Sequence, residues 1–249
     1  RSPTVTGVQT CALPISSGDI GSKIAKSLAG SGRRLFLQGF QGVKELDTLC
    51  DEISNINNCF TVPLICDISQ PQSVKEMFDK IFSYCNHLDV LVNNAGMSHI
   101  GLLQDMTDDE WRRIIDTNLS SVFFCCKSAI PGMISCGNGK IINISSIWGN
   151  VGASCEVAYS ASKGGVNSFT KALAKELAPC NIQVNAISCG VIDTKMNGFM
   201  NREEMEDLIE TIPANRMGTA EECGKLVELL INAPEYLTGQ IITLDGGLI

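Results

Sequence analysis

Two polar residues, Tyr159 and Lys163, lie four positions apart in the second half of the chain. This spacing places both side chains on one face of a helix. Because a nearby ammonium favours the phenolate, we expect Lys163 to lower the pKa of Tyr159 and to make the phenol an acid near neutral pH. Ser146 precedes Tyr159 by 13 residues, and its hydroxyl is suited to hold a carbonyl oxygen beside the phenol. A Tyr/Lys pair alone is common on solvated helix faces, so it indicates carbonyl chemistry only together with further motifs.

A second set of residues is suited to binding an anion. Its members open a helix near the start of the chain and are Ser17, Gly18, Ile20 and Gly21. Glycines let the backbone approach a pyrophosphate, and a helix N-terminus attracts its charge. The spacing is incomplete, because a dinucleotide-binding turn would have glycine where Ile15 and Asp19 stand. A glycine-rich helix start without a ligand explains this segment equally well.

The elements that must position these residues alternate between strand and helix. Apolar runs typical of buried strands cover 35–37, 60–66, 88–92, 141–144, 182–187 and 241–244. Helical periodicity covers 20–28, 43–55, 72–85, 107–135, 158–178, 202–211 and 220–232. This alternation predicts a single α/β domain of the doubly wound (Rossmann) type, with a mostly parallel seven-stranded sheet and helices on both faces. Ligands of such sheets bind beyond the carboxyl ends of the strands, where the strand order reverses.

Composition excludes several classes of protein. The 249 residues are 44% hydrophobic and 18% charged, which suits one domain with a sizeable core. The net charge of -8 argues against a nucleic-acid partner, and the absence of an apolar run near membrane-spanning length argues against a membrane. Two histidines, His87 and His99, leave little room for a His-built metal site, so we expect no metal. Twelve cysteines without a Cys-x-x-Cys motif indicate reduced, mostly buried thiols in a cytoplasmic protein.

The first residues need separate treatment. Residues 5–15 resemble the in-frame translation of a sequencing-library adapter, and an ordinary N-terminal strand is the alternative. A signal peptide does not fit, because the segment lacks a basic start and an apolar core. We therefore expect residues 1–15 to replace the native first strand and its phosphate turn, and we expect residues 16–249 to form the domain.

Several motifs occur together in the order and spacing of one family. Asn-Asn-Ala-Gly at 93–96 follows a strand, Asn118 lies on the next helix, and Ser146 precedes the Tyr-Ser-Ala-Ser-Lys of 159–163. With the C-terminal segments 236–240 and 245–247, these motifs resemble the short-chain dehydrogenase/reductase family. The resemblance covers essentially all of residues 16–249 and implies an oxidoreductase that uses NAD(P).

The resemblance also implies a role for each catalytic candidate. Tyr159 would donate a proton to the substrate carbonyl oxygen, and Ser146 would orient that carbonyl. Lys163 would lower the pKa of the phenol and hold the ribose hydroxyls of the nicotinamide. Asn118 would anchor a water relay that returns the proton. Further cofactor contacts are implied for Asp67 and Ile68 at the adenine, Asn94, Ala95 and Gly96 along the adenosine, and Ile192 and Thr194 at the nicotinamide carboxamide.

Three features of the chain differ from the family pattern or leave the choice between NAD and NADP open. Asp19 stands at a pyrophosphate glycine, and Cys189 with Gly190 stands where Pro-Gly usually follows the sixth strand. The end of the second strand, 37–42, contains no carboxylate to accept a ribose 2′-hydroxyl. No arginine lies beside it, since Arg33 and Arg34 precede the strand. We expect NADP as the cofactor, with NAD as the alternative.

The sequence indicates the type of reaction more clearly than it indicates the substrate. The chain resembles 3-oxoacyl-carrier-protein reductases in length and C-terminus, which implies a carbonyl substrate carried on acyl carrier protein. At the two positions where basic residues would be expected to dock the carrier protein, the chain has Gly137 and Cys180. Arg112 and Arg113 remain as basic residues on a helix. The chain also resembles reductases that complete a 5-aminopentanone modification on elongation factor P, in segments 145–149, 152–157 and 174–179. In that case Glu156 is placed to pair with a substrate amine. The alternative is that Glu156 is an exposed acidic residue of a loop.

A non-catalytic cofactor-binding or scaffolding protein on the same fold is the alternative of another class. It predicts a broken catalytic set, whereas all four candidates are present. Segment 191–216 resembles a substrate lid, although ordinary packing explains its methionines nearly as well. The helices at 107–135 and 158–178 carry more small and apolar residues than one buried face needs, so we expect a homodimer or homotetramer.

Overall fold

The strands form one parallel sheet whose order is β3-β2-β1-β4-β5-β6-β7. The computed structural model describes residues 9–13, 18–30, 32–40, 42–55, 59–198 and 201–249. The strands are β1 (Gln9–Leu13), β2 (Arg33–Gly39), β3 (Phe60–Ile65), β4 (Val90–Asn93), β5 (Gly139–Ser146), β6 (Ile182–Cys189) and β7 (Ile241–Leu244). Every neighbouring pair in this order is parallel. The predicted doubly wound fold is confirmed, and the strand order reverses between β1 and β4.

Helices cover the sheet on both faces. They are α1 (Asp19–Ser27), α2 (Val43–Ser54), α3 (Pro71–Phe82), α4 (Asp108–Ile115), α5 (Ser121–Cys136), α6 (Trp148–Val151), α7 (Val157–Leu177), α8 (Arg202–Thr211) and α9 (Ala220–Ile231). One apolar cluster contains Ile24 of α1 and Val227 of α9, and a second contains Cys125 of α5 and Val166 of α7. Since β5 and β6 contribute to both clusters, the sheet has a core on each face.

The predicted long helix at 107–135 is interrupted. A capping box of Thr107 and Glu110 starts α4, as the sequence indicates. A π-helical turn, Asp116–Ser120, then separates α4 from α5. Such turns place one extra residue in the helix and are frequent at functional sites. Asn118, the candidate on this helix, lies within this turn and has no exposed surface.

The same helical run is the one described segment long and apolar enough to cross a membrane, judged by length and composition. It extends over Asp108–Cys136. Val122, Cys125, Ala129 and Met133 of this run pack in the core beside the sheet. Of its most apolar window, 33% is buried in the fold. The expectation that no membrane is bound stays a prediction.

The first strand lies in the middle of the sheet. Gln9–Leu13 pairs with β2 over five residues and with β4 over two. Part of the segment that resembles an adapter thus occupies the position of the central strand, and residues 1–8 and 14–17 lie outside the described residues. The predicted origin of residues 1–15 stays a prediction.

Candidate active site

The candidate site lies at the carboxyl edge of the sheet, beside the reversal of strand order. A cavity of about 280 Å³ opens there and adjoins a second cavity of about 510 Å³. The lining of the first includes Ile20, Asn94, Gly96, Ser146, Glu156, Tyr159, Lys163, Cys189, Ile192 and Thr194. The second adds Gly18 and Asp19. We refer to the two cavities together as the cleft, and its position is where doubly wound sheets bind ligands.

Tyr159 lies in the first turn of α7, and its phenol is hydrogen-bonded to the side chain of Ser146. The pKa of Tyr159 is raised to about 12, mainly by burial. The hydrogen bond from Ser146 opposes this shift, and the charges of Cys189 and Glu156 add to it. The prediction of a net lowering of this pKa toward neutral is wrong for this structure, because desolvation outweighs the effects that favour the phenolate. The phenol therefore keeps its proton at neutral pH, as a proton donor must.

Lys163 lies one turn after Tyr159 on α7, and it is 3% exposed. Its Nζ donates a hydrogen bond to the carbonyl oxygen of Ile144 at 2.9 Å and lies 5.8 Å from the centroid of the Tyr159 ring. Burial lowers the pKa of Lys163 to about 8. The lysine is thus directed across the end of β5, and its charge is held in the cleft at neutral pH.

Ser146 is the last residue of β5, two residues beyond the predicted apolar run 141–144. Its Oγ accepts a hydrogen bond from the backbone N–H of Trp148 at 3.2 Å. The short helix α6 then approaches α7 so closely that a Cβ on Gly149 would lie 2.6 Å from the carbonyl carbon of Lys163. Glycine is therefore required at this contact, and the contact holds the serine hydroxyl beside the Tyr159 phenol.

Asn118 is connected to the site through the π-helical turn. Its Oδ1 accepts from the backbone N–H of Met97 at 2.9 Å, and its Nδ2 donates to the Met97 carbonyl at 2.8 Å and to Ser162 Oγ at 3.0 Å. The amide thus joins the loop after β4 to α7. A Cβ on Gly96 would lie 3.2 Å from Lys163 Nζ and 3.7 Å from Asn118 Oδ1, so only bare backbone leaves space beside the lysine.

The turn before α1 has the anion-binding geometry only in part. Gly18 caps the helix in an extended conformation, Ile20 lines the cleft, and Gly21 is buried. Ser17 lies outside the described residues. The Asp19 carboxylate accepts a hydrogen bond from the backbone N–H of Lys195 at 2.7 Å. An acidic group is therefore fixed at the helix N-terminus that the resemblance assigns to the phosphates.

Other cofactor candidates divide into two groups. Asn94 and Gly96 line the cleft directly after β4, and Ala95 between them is 5% exposed and packs in the core. Ile192 and Thr194 line the opposite wall. The structure does not place Asp67 and Ile68 on the cleft wall: Asp67 accepts hydrogen bonds from Ser69 N and Oγ, and Ile68 is 2% exposed in the core.

One wall residue was not predicted as part of the site. Cys189 ends β6, is the sheet neighbour of Ser146, and lines the same cavity as Tyr159 and Lys163. The departure from Pro-Gly marked this turn in the sequence, but it gave no sign that the thiol faces the cleft. Among the described residues, no group of three or more His, Cys, Asp or Glu side chains is placed to hold a metal ion.

Relatives of known sequence and structure share this architecture. The profile of a family described as Enoyl-(Acyl carrier protein) reductase matches residues 15–249. The 3-oxoacyl-[acyl-carrier-protein] reductase FabG of Thermotoga maritima is 34% identical over 97% of this chain and 98% of its own length. The uncharacterized oxidoreductase YmfI of Bacillus subtilis is 33% identical over 96% of this chain and 98% of its own.

A solved 3-oxoacyl-[acyl-carrier protein] reductase from Brucella melitensis superposes with a TM-score of 0.90 at 27% identity, covering 97% of this chain and 91% of that one. A putative gluconate dehydrogenase from Agrobacterium tumefaciens also gives 0.90, at 31% identity and 97% and 96% coverage. These relatives differ in the substrates that their names print but share one fold and one class of reaction. The chain belongs to the short-chain dehydrogenase/reductase family and is an NAD(P)-dependent oxidoreductase that acts on CH–OH or C=O groups.

Proposed function

We propose that this enzyme uses NADPH to reduce the ketone of a 3-oxoacyl thioester carried on acyl carrier protein. The observation that carries the proposal is the placement of a protonated Tyr159 between Ser146 and Lys163 on one cleft wall. The FabG relatives, whose names state this substrate, support the choice of ketone. Arg112 and Arg113 are exposed on α4 and supply positive charge for an acidic carrier.

Each polar group of the set has a distinct task in this proposal. Tyr159 donates its proton to the carbonyl oxygen as negative charge develops there. Ser146 donates a hydrogen bond to the same oxygen and so orients the carbonyl carbon. Lys163, which is charged below a pH of about 8, stabilises the phenolate that forms. Asn118 holds the Met97 backbone and anchors the relay that returns a proton to the site.

The cleft fits a nicotinamide dinucleotide. Gly18, Ile20 and Gly21 would face its phosphates, with Ser17, whose placement is not described, beside them. Asn94, Ala95 and Gly96 would follow the adenosine, Lys163 the ribose, and Ile192 and Thr194 the carboxamide. When bound, the nicotinamide supplies the hydride for the carbonyl carbon. Asp67 and Ile68 remain assigned to the adenine, although both lie off the cleft wall.

Features near the end of β2 support NADP over NAD. Gln38 is turned inward and donates to the Cys66 carbonyl, while Phe40 is half-exposed. Neither carries a carboxylate that would repel a 2′-phosphate, although the Glu45 carboxylate lies beside Gly42 at the start of α2. Lys44, in the first turn of α2, is exposed and lies a few residues further along the chain. Lys44 is not among the cofactor contacts predicted from the sequence.

The proposal is tested by measuring NADPH oxidation with an acetoacetyl thioester of acyl carrier protein. We expect turnover with NADPH and a kcat/KM with NADH that is at least about tenfold lower, because NADH lacks the 2′-phosphate and the hydrogen bonds to its charge. The 2-enoyl thioester named by the family description serves as the control substrate, and we expect no turnover with it. Turnover of the enoyl thioester in place of the ketone would overturn the assignment.

Asp19→Gly is expected to lower the Kd for NADPH by about three- to tenfold, because removal of one carboxylate at the start of α1 removes repulsion of the phosphates. Fluorescence titration of NADPH at fixed ionic strength measures the change. Asp19→Asn keeps an acceptor for Lys195 N–H but removes the charge, so it separates electrostatics from loop geometry. If neither variant binds NADPH more tightly, Asp19 does not face the phosphates.

A second candidate substrate is the 5-aminopentanone group on elongation factor P, and Glu156 favours it. This carboxyl is partly buried, lines the same cavity as Tyr159, and has its pKa raised by burial. A substrate ammonium close to it would restore the charged form and form an ion pair. The position of Glu156 therefore suits a ketone that carries an amine.

Glu156→Gln is expected to shift the ratio of kcat/KM values by about tenfold toward the neutral 3-oxoacyl thioester and away from the amino ketone, since only the latter loses an ion pair. Parallel assays with both substrates provide the measurement, and Glu76→Gln, an exposed change on α3, is the matched control. An unchanged ratio would show that Glu156 does not contact the substrate.

Three further parts of the proposal concern the protein as a whole. We expect a homodimer or homotetramer, and exposed apolar side chains such as Phe123 and Val157 on α5 and α7 support this. We expect the protein to act in the cytoplasm. We also expect the natural protein to carry other residues in place of 1–15, and an independent read of the gene tests this.

A further inference from the structure

Two thiols that are distant in the sequence meet behind the cleft wall. The Sγ atoms of Cys189, at the end of β6, and Cys223, on α9, lie 3.8 Å apart. Cys189 is 6% exposed and Cys223 has no exposed surface. Both side chains belong to one apolar cluster, in which the two sulfurs are in contact with each other.

The pair adjoins the cleft on one side. Cys189 lines the cavity next to Ser146 and Lys163, whereas Cys223 lies one layer deeper. Proline, which the family resemblance leads us to expect at 189, would provide no thiol there. The chain therefore has a nucleophilic atom on the active-site wall that the reaction described above does not use.

The surroundings make the two thiols unequal. The hydrogen bond from Cys223 lowers the pKa of Cys189, and the nearby Lys163 ammonium lowers it further. The same hydrogen bond, together with burial, raises the pKa of Cys223. Because Cys189 lines the cavity whereas Cys223 does not, and because the thiolate is the reactive form of cysteine, Cys189 is the attacking sulfur and Cys223 the resolving one.

We propose that Cys189 and Cys223 form a reversible disulfide when a peroxide enters the cleft, and that this bond switches the enzyme off. The Cys189 sulfur attacks one peroxide oxygen, the O–O bond breaks, and an alcohol or water leaves, which gives a sulfenic acid. Cys223 then attacks that sulfur, the S–O bond breaks, and water leaves as the S–S bond forms. The two thiols lose two electrons in total, the peroxide gains them, and a dithiol reductant reverses the change.

The bond would disturb the site because the sulfurs must approach each other. A disulfide has an S–S distance of about 2.0 Å, so the present separation must shorten by roughly 1.8 Å. Helix α9 cannot simply supply this movement, since a Cβ on Gly224 would lie only 2.9 Å from the Lys23 carbonyl of α1. The end of β6 would move instead, beside Ser146, and displacements of about 1 Å at a reacting group cost up to about a hundredfold in rate.

The test treats reduced full-length protein with a stoichiometric amount of hydrogen peroxide and analyses it without reductant. We expect an intact mass lower by about 2 Da, a linked peptide containing Cys189 and Cys223, and a fall in kcat/KM of at least about tenfold, all restored by dithiothreitol. Bound NADPH should slow the reaction, because it would cover Cys189. The mass change does not depend on the substrate proposed above, so failure of one assignment is distinguishable from failure of the other.

Variants assign the two roles. Cys223→Ser is expected to keep its basal activity and to stop at a sulfenic acid on Cys189, which a dimedone adduct detects. Cys189→Ser should form neither species, and circular dichroism checks that both variants are folded. Cys136→Ser, which removes an exposed thiol, is the matched control and should behave as the wild type does. Absence of the linked peptide, or a disulfide that leaves kcat/KM unchanged, would overturn the proposal.

Discussion

Tyr159→Phe is expected to lower kcat for ketone reduction by about a thousandfold while leaving the Kd for NADPH within about twofold of the wild-type value. This change removes only the hydroxyl group, and the ring keeps its packing in the first turn of α7. Because burial keeps the phenol protonated at neutral pH, the variant loses the proton donor itself. Single-turnover rates and NADPH titrations provide the two measurements.

The control for this experiment is Tyr236→Phe, since the Tyr236 side chain is fully exposed and does not line the cleft. It should change neither quantity. If Tyr159→Phe leaves turnover unchanged, the proton comes from another group. If the wild type binds NADPH but shows no turnover with any ketone, the scaffolding alternative gains support.

Lys163→Met is expected to remove nearly all activity and yet to raise the free energy of unfolding by about 1–2 kcal/mol, or Tm by several degrees. Burial lowers the pKa of Lys163 from 10.5 to about 8, which corresponds to a cost of roughly 3 kcal/mol for keeping the charge in the folded protein at neutral pH. Methionine removes this cost, but the Ile144 carbonyl loses its donor, so the net gain is smaller. Thermal melts and denaturant titrations measure it.

The pH dependence of this effect has a defined sign. Below a pH of about 8 the lysine is charged in both states, and the full cost is present. Between about 8 and 10.5 the unfolded chain binds more protons than the folded one, so the stability contributed by this group rises with pH. The advantage of Lys163→Met should therefore shrink over this range, and wild-type activity should fall as Lys163 loses its charge. Lys171→Met, an exposed change on the same helix, is the control, and an equal gain in stability there would contradict the account.

Much of the fold followed from the sequence because its strands are buried on both faces. Continuous apolar runs such as 141–144 and 182–187 can only be central parallel strands in a chain that alternates with amphipathic helices. The π-helical turn at Asp116–Ser120 was not predictable, since helical periodicity continues through it. The extra residue becomes evident only when Asn118 is found to bond the Met97 backbone.

The site was predictable to a similar extent. The spacing of Tyr159 and Lys163 placed them on one helix face, and the strand order brought Ser146 and Gly96 beside them. The direction of the Tyr159 pKa shift was predicted wrongly, because a sequence shows a neighbouring charge but not the depth of burial. The contact of Cys189 with Cys223, 34 residues away, arises from packing of α9 under the sheet edge and has no local signal.

The most direct measurement follows a labelled hydride. NADPH that carries deuterium at C4 of the nicotinamide, on the face that transfers, is incubated with the enzyme and an acetoacetyl thioester of acyl carrier protein, and the product is analysed by mass spectrometry. We expect the wild type to give a 3-hydroxyacyl product that contains one deuterium on its carbinol carbon, and Tyr159→Phe to give almost none. A wild-type product without deuterium at that carbon, or an equal yield from the variant, would contradict a carbonyl reductase that depends on this tyrosine.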